Sequence, residues 1–224
     1  MFSTITQVLG SSETARGKSW QWLIGFIEAQ GYLSVARKSH NIEYLSFSVF
    51  CPLRDTQVLY YIKGLLGYGH VKLSTIGRFY VTNRDALINI LPLEHSEGGS
   101  RLVGLVDGEG VFLVSLKHNP NIQKKKDVSF SIIISQIEET VLKPFFDKLG
   151  GGIRKNEKDG LLIWEIKEKG GLNQAVRLFK KHSLRTKKKV DFLKWCRVLE
   201  LINYKLRLRY SPNHGESFGQ ETFQ

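Results

Sequence analysis

The sequence predicts an α+β fold built from two related halves, each with the element order αββαββα. Three observations carry this. The nonapeptide Leu23-Ile24-Gly25-Phe26-Ile27-Glu28-Ala29-Gln30-Gly31 recurs 79 positions later as Leu102-Val103-Gly104-Leu105-Val106-Asp107-Gly108-Glu109-Gly110. The likeness persists beyond it: Ser46-Phe47-Ser48 matches Ser129-Phe130-Ser131, and Val58-Leu59 through Gly67 matches Val141-Leu142 through Gly150, both at an offset of 83. Hydropathy then switches between helical and alternating periods in the same order twice, the signature of a duplicated unit.

In the first half the expected elements are a helix to about Gln30, strands near 32–38 and 44–50, a helix near 55–66, strands near 70–74 and 78–82, and a helix near 84–91. The second half repeats the order from Ser100. The offset grows by four inside the polar stretch 119–126, where a longer hairpin tip absorbs the insertion cheaply. Residues 92–99 hold Pro, Gly and Ser without periodicity and read as a linker. The chain therefore divides into an N-terminal half (1–91), the linker (92–99), a C-terminal half (100–210) and a polar tail (211–224). An extra amphipathic helix is expected over about 190–206.

Lys and Arg outnumber Asp and Glu by 33 to 21, a formal net charge of +12 with a pI near 9.7, so a polyanionic partner is expected. Cys51 and Cys196 lack metal-ligand spacing and do not suggest a disulfide framework, which fits a reducing compartment. No apolar run reaches the roughly 18–20 residues of a membrane span. The first residues lack a basic region followed by a hydrophobic stretch, so a soluble, non-secreted protein with no membrane partner is expected. The six histidines (His40, His70, His95, His118, His182, His214) are scattered without ligand spacing, which argues against an unrelated metal-dependent hydrolase.

Each nonapeptide closes an apolar helix with acidic or amide side chains before a glycine. A carboxylate is disfavoured there, because the helix dipole is negative at that end; a bound cation would reverse the sign. If the two helices pack side by side across a pseudo-twofold axis, Gly25 and Gly104 permit close approach and positions 30 and 109 become neighbours. That is a geometry for divalent metal, although two ordinary buried helices with capping end residues would read the same way.

The paired nonapeptides within a repeated αββαββα pattern resemble the LAGLIDADG homing endonucleases, in the single-chain form that carries two motifs, over roughly residues 19–205. The resemblance implies a saddle whose two antiparallel four-stranded sheets lie in successive major grooves. The motif helices then form the central interface and hold the metal. Carried over by position, Glu109 is a metal ligand and catalytic, and Gln30 occupies its counterpart. Glu28 and Asp107, with Gly25, Gly31, Gly104 and Gly110, belong to the structural part of the motif. The implied cofactor is Mg²⁺, with Ca²⁺ or Mn²⁺ as substitutes in crystals. Gln30 departs from the family pattern: an amide offers an oxygen but no charge, so metal affinity should fall and cleavage be attenuated or lost. The segment Arg185-Thr186-Lys187-Lys188-Lys189 resembles a basic segment of the family, and within it Lys187 is the expected catalytic cation, stabilising charge at the phosphate or organising solvent, unless the run only contacts phosphates nonspecifically. The first half has Pro92-Leu93-Glu94-His95 at the equivalent point, without a basic side chain.

Alternation sorts the strands into two faces. Leu33, Val35, Phe47, Val49, Phe112, Val114, Phe130 and Ile132 should cover the helices. The opposite face should display Ser34, Lys38, Ser46, Ser48, Arg78, Tyr80, Lys117, Ser129, Ser131 and Arg154 for hydrogen bonding to bases in the major groove. Lys124, Lys125 and Lys126, at the inserted hairpin tip, are better placed for phosphates. The partner is double-stranded DNA with a long target site, bound by a monomer. The competing reading is a noncatalytic DNA binder or a maturase acting on intron RNA. An organellar location, mitochondrion or chloroplast, follows from the resemblance alone.

Overall fold

The computed structural model describes residues 15–38, 42–83, 85–87, 98–118, 126–136 and 138–210. Most of the expected 84–91 helix, nearly all of the 92–99 linker, the 211–224 tail, and Lys124 and Lys125 lie outside these residues, as do the side chains of Lys38 and Lys117.

Helix α1 (Ala15–Gln30) runs straight into strand β1 (Gly31–Lys38), followed by β2 (Ile42–Cys51) and a 3₁₀ turn over Leu53–Asp55. Helix α2 (Gln57–Leu66) and strands β3 (His70–Leu73) and β4 (Gly77–Val81) complete the described first half. The second half repeats this as α3 (Gly99–Glu109), β5 (Gly110–His118), β6 (Lys126–Gln136), α4 (Glu139–Leu149), β7 (Gly152–Lys155), β8 (Leu162–Ile166) and α5 (Lys169–Lys181). A long helix α6 (Lys188–Tyr210) follows. Two antiparallel four-stranded sheets result, ordered β1-β2-β4-β3 and β5-β6-β8-β7. This is the α+β fold of two repeated halves.

The helices belong where they are because their apolar positions recur on one face. Val58, Leu59 and Ile62 of α2 are buried, as are Val141, Leu142, Phe145 and Leu149 of α4. They share one core with Phe47, Val49, Phe79 and Val81 of the first sheet and Ile132, Ile134, Trp164 and Ile166 of the second.

The two halves meet along α1 and α3, whose backbones touch. A Cβ on Gly25 would lie 1.9 Å from the Arg101 carbonyl oxygen, and one on Gly104 would lie 2.0 Å from that of Trp22. Arg101 and Gly104 stand 79 positions after Trp22 and Gly25, so the contact is reciprocal, as a pseudo-twofold requires. At Gly31 and Gly110 the need is again for space: a Cβ would meet the Ile27 or Val106 carbonyl oxygen at 2.5 or 2.7 Å where helix turns directly into strand.

The structure corrects the expected apolar face at one end. Phe47, Val49, Phe130 and Ile132 are buried, but Leu33 is 46% exposed and Val35 60%, with Leu45 beside them at 44%. Their equivalents Phe112, Val114 and Val128 are partly buried. On the second sheet α5 brings the Phe179 ring to 5.9 Å from Phe112, and α6 adds further cover. Its Phe192 and Trp195 rings lie 5.3 and 6.0 Å from Phe112, and the Trp195 indole donates to the Leu113 carbonyl at 3.0 Å. Among the described residues no helix covers the corresponding end of the first sheet.

Candidate functional site

Both motif helices end at the root of a strand, so the last residues of the two motifs converge where β1 and β5 begin. The Gln30 amide donates to Glu109 Oε1 at 2.5 Å and to the Gly108 carbonyl at 3.3 Å. The close approach at Gly25 and Gly104, lower on the same helix pair, makes this contact possible.

The first acidic residues of the motifs do different work. Asp107 accepts from the Trp22 indole (2.8 Å), the Arg185 and Thr186 backbone N–H groups (2.8 and 3.1 Å) and the Thr186 hydroxyl (2.6 Å). Glu28 accepts both arms of the Arg101 guanidinium at 2.8 and 2.7 Å. Trp22 and Arg101 are themselves equivalent positions, so each helix ties the other through its first acid. Burial pushes the Asp107 carboxyl above the ordinary aspartate range, against the downward pull of Thr186, Arg185 and Trp22.

By fixing Arg185 and Thr186, Asp107 sets the start of α6 and with it the basic segment. The structure sets Lys187 apart from the converging motif ends. That side chain is exposed, and its backbone N–H donates to the buried carboxylate of Asp55 at 2.7 Å. Its neighbour Lys188 turns inward, its ammonium donating to the Gly108 carbonyl and, at 3.3 Å, to that of Val106. Helical phase decides between them, since consecutive residues point about 100° apart. Burial lowers the Lys188 pKa, while the carboxylates of Glu109, Asp107 and Asp55 pull it back up. Burial likewise raises Glu109, and Lys188 and the Gln30 amide draw it down. Arg185 stacks over Trp22 and Tyr61, with its guanidinium carbon 4.8 and 4.5 Å from the ring centroids.

The donor set tests whether a metal fits. Glu109 supplies one carboxylate and Gln30, once its amide turns, an oxygen, both at the negative ends of two helix dipoles, while the Gly108 carbonyl is taken by the Lys188 ammonium. These hard oxygens suit one divalent cation that takes its remaining ligands from water and phosphate. Among the described residues no three His, Cys, Asp or Glu side chains converge in a group that could hold a metal ion by itself.

On the outer faces of the sheets, Tyr80, Ser34 and Ser129 are partly buried and Arg154 is exposed. Ser46, Ser48 and Ser131 are not displayed as expected; they are 2%, 1% and 5% exposed. Arg78 covers two of them, donating to Ser48 Oγ from Nε (3.1 Å) and Nη2 (2.8 Å) and to Ser46 Oγ at 3.4 Å. Ser131 hydrogen-bonds Glu165, a residue that sequence reasoning missed because its chain neighbours gave no sign of a partner across the sheet. Lys188 was missed by a single position, and Arg101 for want of any sign that a basic residue within an apolar helix is paired.

Comparison with known proteins agrees with this architecture. A sequence model described as LAGLIDADG endonuclease matches residues 102–199. A Neurospora crassa protein called probable intron-encoded endonuclease 4 is 23% identical over 255 residues, an alignment covering 89% of this chain and 45% of that protein. A Debaryomyces hansenii protein called probable intron-encoded endonuclease aI3 is 26% identical over 116 residues, covering 50% of this chain and 15% of that one. The chain thus spans less than half the length of these curated relatives. Among solved structures, the meganuclease I-SmaMI bound to uncleaveable DNA superposes with a TM-score of 0.73 at 17% identity, covering 85% of this chain and 91% of that one. I-AabMI bound to uncleaved DNA gives 0.72 at 17% identity, covering 83% and 92%. At such identities the structures speak for the fold. Residues 102–199 thus match the LAGLIDADG endonuclease model, and the first motif, repeated 79 positions earlier on the paired helix, extends that similarity to the N-terminal half.

Proposed function

We propose that this chain binds duplex DNA along the outer faces of its two sheets and hydrolyses phosphodiester bonds at the Gln30–Glu109 site with Mg²⁺. We further propose that cleavage is slowed because only one of the two positions carries a carboxylate. The observation that carries the reading is the direct Gln30–Glu109 contact at the meeting point of the motif helices, with the buried ammonium of Lys188 beside it. The net charge of +12 supports a polyanionic partner. Both motifs reside in one chain, which supports action as a monomer on a long target. The relatives' names support an intron-encoded origin, and we extend this to an organellar genome.

A divalent cation there would polarise the scissile phosphate and acidify bound water. The chain's own groups do the rest. Glu109 supplies the anionic ligand. Gln30 must turn its carbonyl oxygen inward, giving up the N–H donation to Glu109, and it adds no charge when it does. Lys188 places a positive charge within reach of a phosphate seated above Gly108, where negative charge grows during attack.

The test is incubation with Mg²⁺ and a randomised duplex library, sequencing bound and cut pools for the wild type, Glu109→Gln and Gln30→Glu. Cleavage by the wild type that Glu109→Gln abolishes and Gln30→Glu accelerates is the expected result. Specific binding with cutting seen only in Gln30→Glu assigns the chain as a noncatalytic DNA binder. That second reading is favoured by the Gln30 amide occupying the single carboxylate. Enrichment of no duplex, with retention of structured intron RNA, refutes the DNA reading in favour of a maturase.

A further inference from the structure

The two sheets are not equivalent at one pair of positions. In the first, Arg78 lies opposite Phe50 on the outer face; in the second, Glu165 lies opposite Ile133, and Phe50 and Ile133 are 83 positions apart, the offset of the repeat. Both groups sit on the same serine of the repeat: Arg78 on Ser48, Glu165 on Ser131. One site therefore presents a guanidinium and its counterpart a carboxylate.

Each group is held in place and keeps hydrogen-bonding capacity to spare. The Arg78 guanidinium lies 5.0 Å from the Tyr80 ring centroid and 5.6 Å from that of Phe50, and Ser48 engages its Nε and Nη2 edge. Nη2 also reaches Ser46 Oγ at 3.4 Å, and among the described residues Nη1 has no acceptor, so its two N–H groups remain to donate. Glu165 is paired through Oε2 with the Lys167 ammonium at 2.8 Å. Its carboxyl lies below the ordinary glutamate range: burial raises it, but the Lys167 and Ser131 hydrogen bonds and the Lys167 and Arg154 charges outweigh that. It is thus an ionised acceptor at neutral pH.

In the major groove guanine offers two acceptors, O6 and N7, to a forked donor, while cytosine offers an N4 amino group to a carboxylate. Resting on the duplex-DNA reading above, we infer that Arg78 reads a guanine in one half-site and Glu165 reads a cytosine at the equivalent position of the other. The target is then non-palindromic at this pair: the same base pair appears in both half-sites with its strands exchanged.

The test selects randomised duplexes in Ca²⁺ with the wild type and with Arg78→Ala, Arg78→Lys, Ser48→Ala and Glu165→Gln, after circular dichroism melting of each. Read along the strand that carries the Arg78 guanine, the wild-type pool should contain a G column in one half-site and, opposite the cytosine read by Glu165, a second G column at the mirrored position, where a palindrome would have C. Arg78→Ala should lower the first G enrichment about tenfold or more, and Arg78→Lys, which keeps the charge but loses the fork, should lower it by less, with the other columns kept. Glu165→Gln should lower the second G column. Ser48→Ala, which frees the guanidinium without removing it, should weaken the first G column, and it carries the test together with Arg78→Lys if Arg78→Ala does not fold. A uniform loss across all columns, or a first G column retained by Arg78→Ala, makes Arg78 a phosphate contact and overturns the inference while leaving DNA binding intact. A wild type that enriches no duplex overturns the proposed function and this inference with it.

Discussion

Replacing Gly104 by alanine tests the helix pair on which the site depends. The new methyl carbon would stand 2.0 Å from the Trp22 carbonyl oxygen and 2.8 Å from the Phe26 nitrogen. Both obstacles are backbone, so no side chain can rotate away and the helices must separate by roughly 1 Å to reach ordinary contact. Overpacking of this kind costs about 1–3 kcal/mol, and the upper end applies where backbone resists. Alanine's better helix propensity returns about 1 kcal/mol, leaving a net loss of about 2 kcal/mol. For a chain of this size that lowers the melting temperature by about 4–8 °C. Gly64→Ala is the internal control. It lies in α2 with nothing within 4 Å of the added carbon, so propensity acts alone and Tm should rise by about 1–4 °C. Differential scanning calorimetry of the two variants decides the matter. A Gly104→Ala variant that melts within about 1 °C of the wild type, while Gly64→Ala rises, refutes the close-contact argument.

Asp107→Ala should cost about 3 kcal/mol or more in urea denaturation, because four donors lose one buried acceptor, whereas Trp22→Phe, which leaves three of them satisfied, should cost about 1 kcal/mol. Because burial raises the Glu109 pKa, cation binding should fade as pH drops through that raised value, at a higher pH than for an ordinary carboxylate. Lys188→Met removes the ammonium that draws Glu109 down, so Ca²⁺ titration calorimetry between about pH 4.5 and 7.5 should show the loss beginning at higher pH still; a displacement to lower pH contradicts the coupling. By the same linkage, Glu109 keeps its proton in the folded chain where the unfolded chain has lost it, so its contribution to stability declines as pH rises through the raised pKa. Trp195→Phe should lower stability by about 1 kcal/mol through the lost bond to the Leu113 carbonyl, measured by the same denaturation.

The duplicated architecture was legible because periodicity and repetition are properties of the chain itself. Helix and strand order and the paired glycines follow from residues near in sequence or related by the repeat, whereas the structural role expected of Glu28 and Asp107 came from the family resemblance. What was not legible depends on how far one layer reaches over another. Leu33 and Val35 alternate as buried strand residues should, yet among the described residues no helix packs on them as α5 and α6 pack on Phe112. Ser46 and Ser48 face outward by pleat and are covered by Arg78, since a small side chain disappears beneath a long one from the neighbouring strand. Lys187 and Lys188 could be told apart only by the phase of α6, which starts two residues before the expected helix. That start is fixed by Asp107 and Asp55, the latter from the other half of the chain.

The crossed ties at Trp22–Asp107 and Arg101–Glu28 also bear on recombination between homologues. Although they occupy equivalent positions, one is an indole on a carboxylate and the other an ion pair, so each half carries the partner its mate needs and not the one it would need for itself. A chimera that joins either half to a half from a relative inherits one member of each tie. Its success should track whether the incoming helix supplies the matching acid and the matching donor at those two positions, and grafting that residue pair along with the half is the smallest transfer that keeps both bonds.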